Sequence, residues 1–231
     1  MRLFWIMCCC GWLLNLSSNV DGQTSGEAAQ SSNVNAKVGQ RELLINVYYR
    51  GGNAADEAWL QRARDYAAQQ PGLQVVPRNV ATDADMQKSL QTIQTALKLP
   101  NTAVPLVYGL NRAVHQAKDA ADFNSQMDRL RLLEMYCQPN CPHCDQAEQH
   151  LKKTLPQYPG ITFVKRNIVT DSSAKSDLQE HLRRRNVNTQ TVPVLHMANQ
   201  LLIGFDSQQK TGEKVDELLK RWSLESPTPS R

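Results

Sequence analysis

Cys141-Pro142-His143-Cys144 is the part of this chain best equipped for chemistry. Two cysteines two residues apart can close a disulfide when the first sits at a helix N-terminus and the second lies one turn on. The helix-end amides and the imidazole between them favour a thiolate at Cys141. A thiolate is the species that attacks disulfides. Zinc sites use the same spacing, so the surrounding chain must decide between redox and metal chemistry.

Three cysteines fall within eight residues: Cys137, Cys141 and Cys144. Their C-x3-C-x2-C spacing also fits the [4Fe–4S] site of radical-SAM enzymes. Such enzymes need a long barrel after the motif, and the stretch following Cys144 is short for one. With His143 or His150 the same thiols would suit Zn²⁺ or Cu⁺. That site requires Cys137 to be brought round to the other two. On a strand end ahead of a helix, Cys137 instead points into or beside the core. It reads as a small semi-buried residue, or else as a regulatory thiol able to pair with Cys141 or another chain. No metal site and no cofactor is expected. His115, His150, His181 and His196 have no ligand spacing with each other and read as surface or hydrogen-bonded histidines. Trp59 and Trp222 read as core packing in helices. Tyr136 could flank the dithiol or pack in the core.

The bulk properties narrow the function classes. The chain has 231 residues, pI ≈ 8.7 and a net charge of +4. That length suits one large domain or two ordinary ones. Acidic and basic residues alternate, and the longest basic run, Arg183-Arg184-Arg185, reads as a solvated helix face, so nucleic-acid binding is not expected. Residues 1–22 read as a signal peptide: Arg2 starts it, Leu3 to Leu16 is apolar, and Val20-Asp21-Gly22 suits cleavage. The apolar run is short for a membrane span, so membrane association is expected only if it stays uncleaved. Cleavage would remove Cys8, Cys9 and Cys10 and leave the three at 137–144. An exported chain places that site in a periplasmic or other oxidising compartment. Residues 23–41 are Ser/Gln/Asn-rich and read as a disordered linker; residues 224–231 read as a tail.

Between these ends the sequence repeats with an offset of 88. Pro71-Gly72 recurs as Pro159-Gly160, Arg78-Asn79 as Arg166-Asn167, Thr82-Asp83 as Thr170-Asp171, and Val104-Pro105 as Val192-Pro193. Tyr48 matches Tyr136, and Asn111 matches Asn199. Each copy, 42–131 and 132–223, reads as β-α-β-α-β-β-α. The strands open at Leu43 to Tyr48 and Leu132 to Cys137. The second copy's first helix, Pro142 to Leu155, carries Ala147, Leu151 and Leu155 on one apolar face. Strands at Leu73 to Pro77 and Ile161 to Val164 follow. The closing helices fall near 120–130 and 212–222. At offset 88, Cys141 and Cys144 become Asn53 and Asp56, so the first copy has no redox pair.

This order resembles the thioredoxin superfamily: an α/β fold in two tandem domains, each a central mixed sheet flanked by helices. The second copy is similar to glutaredoxin-like and Dsb-type thiol–disulfide oxidoreductases. The resemblance rests on the CPHC dithiol between a strand and a helix, on Thr191-Val192-Pro193, and on Leu202-Ile203-Gly204-Phe205-Asp206. It implies that Cys141 is the nucleophile and Cys144 the resolving thiol. It implies that Pro142 and His143 tune the couple and that Pro193 follows a cis bond facing it. Thr191, Val192, Gly204 and Asp206 are the implied substrate-binding residues. The implied partners are client proteins bearing thiols or disulfides and a redox partner protein. The Pro-His dipeptide is the one of Dsb-type oxidants, and a stabilised reduced form makes an oxidising couple. The lysine that often precedes the dithiol in glutathione-using glutaredoxins is replaced by Pro139 and Asn140. The rival reading is a redox-insensitive adaptor that binds extended peptides through both Val-Pro loops.

Overall fold

The computed structural model describes residues 40–224. The proposed signal segment, nearly all of the linker and nearly all of the tail therefore lie outside the described residues. No helix among the described residues is long and apolar enough to cross a membrane.

The first half contains β1 (Leu43–Tyr49), α1 (Ala54–Ala68), β2 (Leu73–Asn79), α2 (Ala84–Ala96), β3 (Leu106–Gly109), β4 (Arg112–Val114) and α3 (Ala120–Leu130). The second contains β5 (Leu132–Cys137), α4 (Pro142–Thr154), β6 (Thr162–Asn167), α5 (Ser172–Arg183), β7 (Val194–Met197), β8 (Gln200–Ile203) and α6 (Glu213–Leu224). The sheets run β2-β1-β3-β4 and β6-β5-β7-β8. In each, the first two strands are parallel and the last two antiparallel. Each half thus has the thioredoxin-like order anticipated from the repeat.

The repeated residues recur because each performs a local task twice. Asp83 caps α2 and Asp171 caps α5, each accepting two backbone N–H bonds that the helix cannot satisfy itself. Asn79 and Asn167 accept from backbone amides just after the parallel strand. Asn111 and Asn199 hold φ of 54° and 59° in the hairpin turns, a region Asn tolerates better than most residues. Val104-Pro105 and Val192-Pro193 are both cis.

Alternation along the strands assigns the two faces. In the second sheet, Leu133 and Met135 face α4 and α6 with Ala147, Leu151 and Leu219. Tyr136 faces the other way, against Ala174, Leu178 and Leu182 of α5. Tyr136 is therefore a core residue behind the sheet and does not flank the dithiol. Trp222 is buried in the same core as Leu219, and Trp59 packs edge-on against Phe123 at 5.3 Å.

Several elements run past their expected bounds. β2 extends through Pro77 to Asn79 and β6 reaches Asn167. Both are edge strands, where a proline costs no ladder bond on the solvent side. α4 stops at Thr154 and continues as a single 3₁₀ turn, Leu155–Gln157, around Pro156.

The two halves share one of their core clusters. Leu43 and Leu110 of the first half are buried in a cluster with Tyr158, Met197 and Trp222 of the second. The two copies of the repeated Pro-Gly turn also meet each other. A Cβ at Gly160 would stand 2.5 Å from the Gly72 carbonyl and 2.8 Å from Leu43 Cβ. Both glycines are thus required by close approach between equivalent turns. Gly160→Ala is expected to destabilise the chain by about 1–3 kcal/mol, the usual cost of overpacking. Urea unfolding measures it, with Gln157→Ala on the nearby exposed turn as the neutral comparison.

Candidate functional site

Cys141 and Cys144 form a disulfide, with Cα atoms 5.2 Å apart. β5 ends at Cys137, and a short loop carries the chain to Cys141, which is the N-cap of α4. Its sulfur accepts a hydrogen bond from the Cys144 amide at 3.2 Å, taking the role a Ser or Asp side chain plays at other helix starts. Pro142 occupies the first helical position, where its missing N–H leaves nothing unsatisfied. Cys144 is 1% exposed and Cys141 7%, so Cys141 is the more accessible of the two residues.

β7 pairs antiparallel with β5, with Tyr136 opposite Val194. That register brings the loop before β7 against the end of β5. The Val192 carbonyl lies 4.0 Å from the Cys141 sulfur, and Val192 packs against the cysteine cluster. The Gly204 amide donates to the Pro193 carbonyl at 2.8 Å. Thr191 Cγ2 lies 3.5 Å from where a Gly204 side chain would begin. Thr191, Val192, Pro193 and Gly204 therefore form one surface beside the dithiol. His143 Nδ1 hydrogen-bonds the Phe205 carbonyl at 2.9 Å, fixing the exposed imidazole to the segment after β8. Asp206 lies farther along that segment, lining an open cleft of about 310 Å³ with Gln146, Gln149, His150 and Lys153.

Cys137 is a buried free thiol in the same small cluster as the other two cysteines. Its Sγ donates to the Arg166 carbonyl at 3.4 Å. Burial raises its pKa above the ordinary value, so it is a protonated core residue rather than a thiolate.

The same position in the first half carries an ion pair. Asn53 is the N-cap of α1, as Cys141 is of α4. Asp56, 1% exposed, stands where Cys144 does and receives Arg50 through both carboxylate oxygens, at 2.7 and 2.9 Å. Arg50 Nη2 also reaches the Val104 carbonyl at 3.5 Å, the counterpart of the Val192 carbonyl beside the sulfur. The vacated redox site is thus filled, and its cis-proline carbonyl already has a donor.

One cluster escaped the sequence. His181 and His196 lie with ring centroids 3.7 Å apart and planes tilted by 39°, and Glu134 Oε2 stands 3.2 Å from His196 Nδ1 and 3.9 Å from His181 Nε2. The three residues come from β5, α5 and β7: the cross-strand register sets Glu134 opposite His196, and α5 packs His181 against them. His150 is also paired, with Asp216 of α6 at 2.9 Å. The triple-arginine run behaves as expected at Arg183 and Arg184, which pair with Glu180 on the exposed helix surface.

Residues 133–202 match the glutaredoxin family model. No curated protein matches the chain by sequence. Among solved structures, a mutant of the thioredoxin-like protein BC3987 is 23% identical, over 38% of this chain and 94% of its own, with a TM-score of 0.29. The holo form of glutaredoxin C1 from Populus tremula x tremuloides is 17% identical, over 46% of this chain and 93% of its own, at 0.31. A protein disulfide oxidoreductase from Aeropyrum pernix K1 is 13% identical, over 80% of this chain and 87% of its own, at 0.28.

The Arg50–Asp56 pair has a measurable consequence. The hydrogen bond from Arg50 outweighs burial and holds the Asp56 carboxyl below its ordinary 3.8. Stability from this group is therefore present above pH 3.8 and is lost as pH falls through the lower folded value. Asp56→Ala is expected to cost about 1.5–3 kcal/mol at pH 7, the range for hydrogen bonds to a charged group. The difference from wild type should shrink below pH 3.8, as urea unfolding at a series of pH values would show.

Proposed function

We propose that this chain is a thiol–disulfide oxidoreductase whose second half carries the active couple, Cys141–Cys144. The observation that supports it most is the pairing of the two cysteines at the start of α4, with the accessible sulfur beside the Val192 carbonyl. The glutaredoxin match over the same residues agrees with it.

In the reducing direction, the Cys141 thiolate attacks one sulfur of a client disulfide. The client S–S bond breaks, one client sulfur leaves as a thiolate, and a mixed disulfide forms. Cys144 then attacks the Cys141 sulfur, closing the Cys141–Cys144 bond and releasing the second client thiol. The client has gained two electrons and the couple has lost them. Run backwards, the same exchanges oxidise a client dithiol. A redox partner protein resets the couple in either direction.

Each neighbouring residue has a role in this reading. The amide of Cys144 and the start of α4 stabilise negative charge on the Cys141 sulfur. His143, between the two cysteines in sequence, has its imidazole fixed by the Phe205 carbonyl. The Val192 backbone pairs with an extended client segment, in the manner of strand addition. Thr191 and Gly204 flank that segment, and Asp206 borders the polar cleft beyond. The apolar N-terminal stretch supports export, which would place the couple among disulfide-bearing clients. The first half contributes core and a shared interface rather than thiol chemistry.

The reading is tested with the full chain and insulin disulfides as substrate. Cys141→Ser should reduce dithiothreitol-driven insulin reduction to the uncatalysed background. Cys144→Ser should accumulate a mixed disulfide visible as a mass increase on non-reducing gels. Full activity in both variants would refute the assignment.

A further inference from the structure

Glu134, His181 and His196 are grouped behind the redox sheet, on the face opposite α4. We propose that they form a site for a first-row divalent metal such as Zn²⁺, separate from the dithiol.

The geometry carries the proposal. Glu134 Oε2 lies 3.2 Å from His196 Nδ1 and 3.9 Å from His181 Nε2. One ligand atom from each of the three lies within 4.8 Å of the others. Ligands on a tetrahedral Zn²⁺ stand roughly 3.4 Å apart, given metal–ligand bonds of about 2.0–2.1 Å. The set is two imidazoles and one carboxylate, which leaves the fourth tetrahedral position for a water. Glu134 and His196 are buried, whereas the His181 side chain is 22% exposed, which gives the metal a route in from the α5 side.

The outer contacts are those of a ligand set. Glu134 uses its second oxygen, Oε1, to accept from Arg166 Nη1 at 3.2 Å, leaving Oε2 for a metal. Arg166 is itself held by Asp177 at 2.6 Å and Asp171 at 3.6 Å. Arg112 opposes a bound cation by its charge. Its Nη2 lies 3.4 Å from both ring nitrogens of His196, so a bound metal must displace that contact at the nitrogen it takes. Burial, then the neighbouring His196, holds His181 down to about 4, and burial likewise lowers His196. Burial raises Glu134, but the hydrogen bonds from His196 and Arg166 and the charges of the two histidines together hold it down to about 2.

The internal repeat excludes a need of the fold. At offset 88 the three positions are Asn46, Ile93 and Tyr108. There the same backbone packs Ile93 and Tyr108 as fully buried core. Asn46, buried, accepts from Arg78 as Glu134 does from Arg166, but neither histidine has a counterpart with a ligand nitrogen, so the architecture does not require the two imidazoles.

The test uses the full chain carrying Cys8→Ser, Cys9→Ser and Cys10→Ser, stripped by chelator with the dithiol oxidised, and titrated with Co²⁺ followed by Zn²⁺. The expected result is one equivalent of Co²⁺ with visible ligand-field bands, no sulfur-to-cobalt charge-transfer band, and displacement by Zn²⁺. Adding Cys137→Ser should leave binding intact. Glu134→Gln and His181→Ala should each weaken it by more than the roughly 10–100-fold that follows loss of an outer-shell group. His181 lies at the partly exposed rim, and its variant's metal-free melting curve reports whether it still folds. No Co²⁺ uptake by the parent chain would overturn the proposal. So would loss of binding with Cys137→Ser, or parent-like affinity in a folded His181→Ala.

Discussion

The bond from the Cys144 amide to the Cys141 sulfur ties the chemistry of this chain to its fold. That contact makes one atom both the cap of α4 and the accessible half of the disulfide. Its position depends on β5, which ends just before the motif, and on β7, whose antiparallel register sets the Val192 carbonyl 4.0 Å away. A shift of one residue in the β5–β7 pairing would turn every side chain of β7 to the other face and carry the loop away from the sulfur. The redox site is therefore a property of strand register as much as of two cysteines.

The two halves show how one backbone accepts different fillings. At the helix start, a disulfide in one half is matched in the other by a carboxylate–guanidinium pair. Behind the sheet, Glu134, His181 and His196 stand where the first half has Asn46, Ile93 and Tyr108. The elements that position these groups are unchanged: Asp caps, Asn turns, the Val-Pro loops and the Pro-Gly turns that touch across the interface. Because Leu43 and Leu110 belong to the second half's core, the first half also supports the fold that carries the dithiol.

Most of this architecture was legible in the sequence, for a physical reason. Caps, positive-φ turns and cis-proline loops demand particular residue types, so their repetition at a fixed offset revealed the element order. The CPHC motif was legible because a dithiol at a helix start is a local arrangement. Long-range groupings were not. Glu134, His181 and His196 are far apart in sequence and carry no shared spacing, because a strand pair and an overlying helix bring them together. The burial of Tyr136 behind the sheet followed from strand alternation, which its proximity to Cys137 in sequence obscured. Arg50 gave no signal as the residue that fills the empty site, since its reach to Asp56 and Val104 depends on side-chain direction.

The central claim is that, of the three cysteines in the described fold, Cys141 presents the reactive sulfur. Reducing the full chain, alkylating it with substoichiometric iodoacetamide at neutral pH and mapping the label by peptide mass spectrometry tests it most directly. Among Cys137, Cys141 and Cys144, the label should fall on Cys141 first. Label appearing first on Cys137 or Cys144, or equally on all three, would contradict the account.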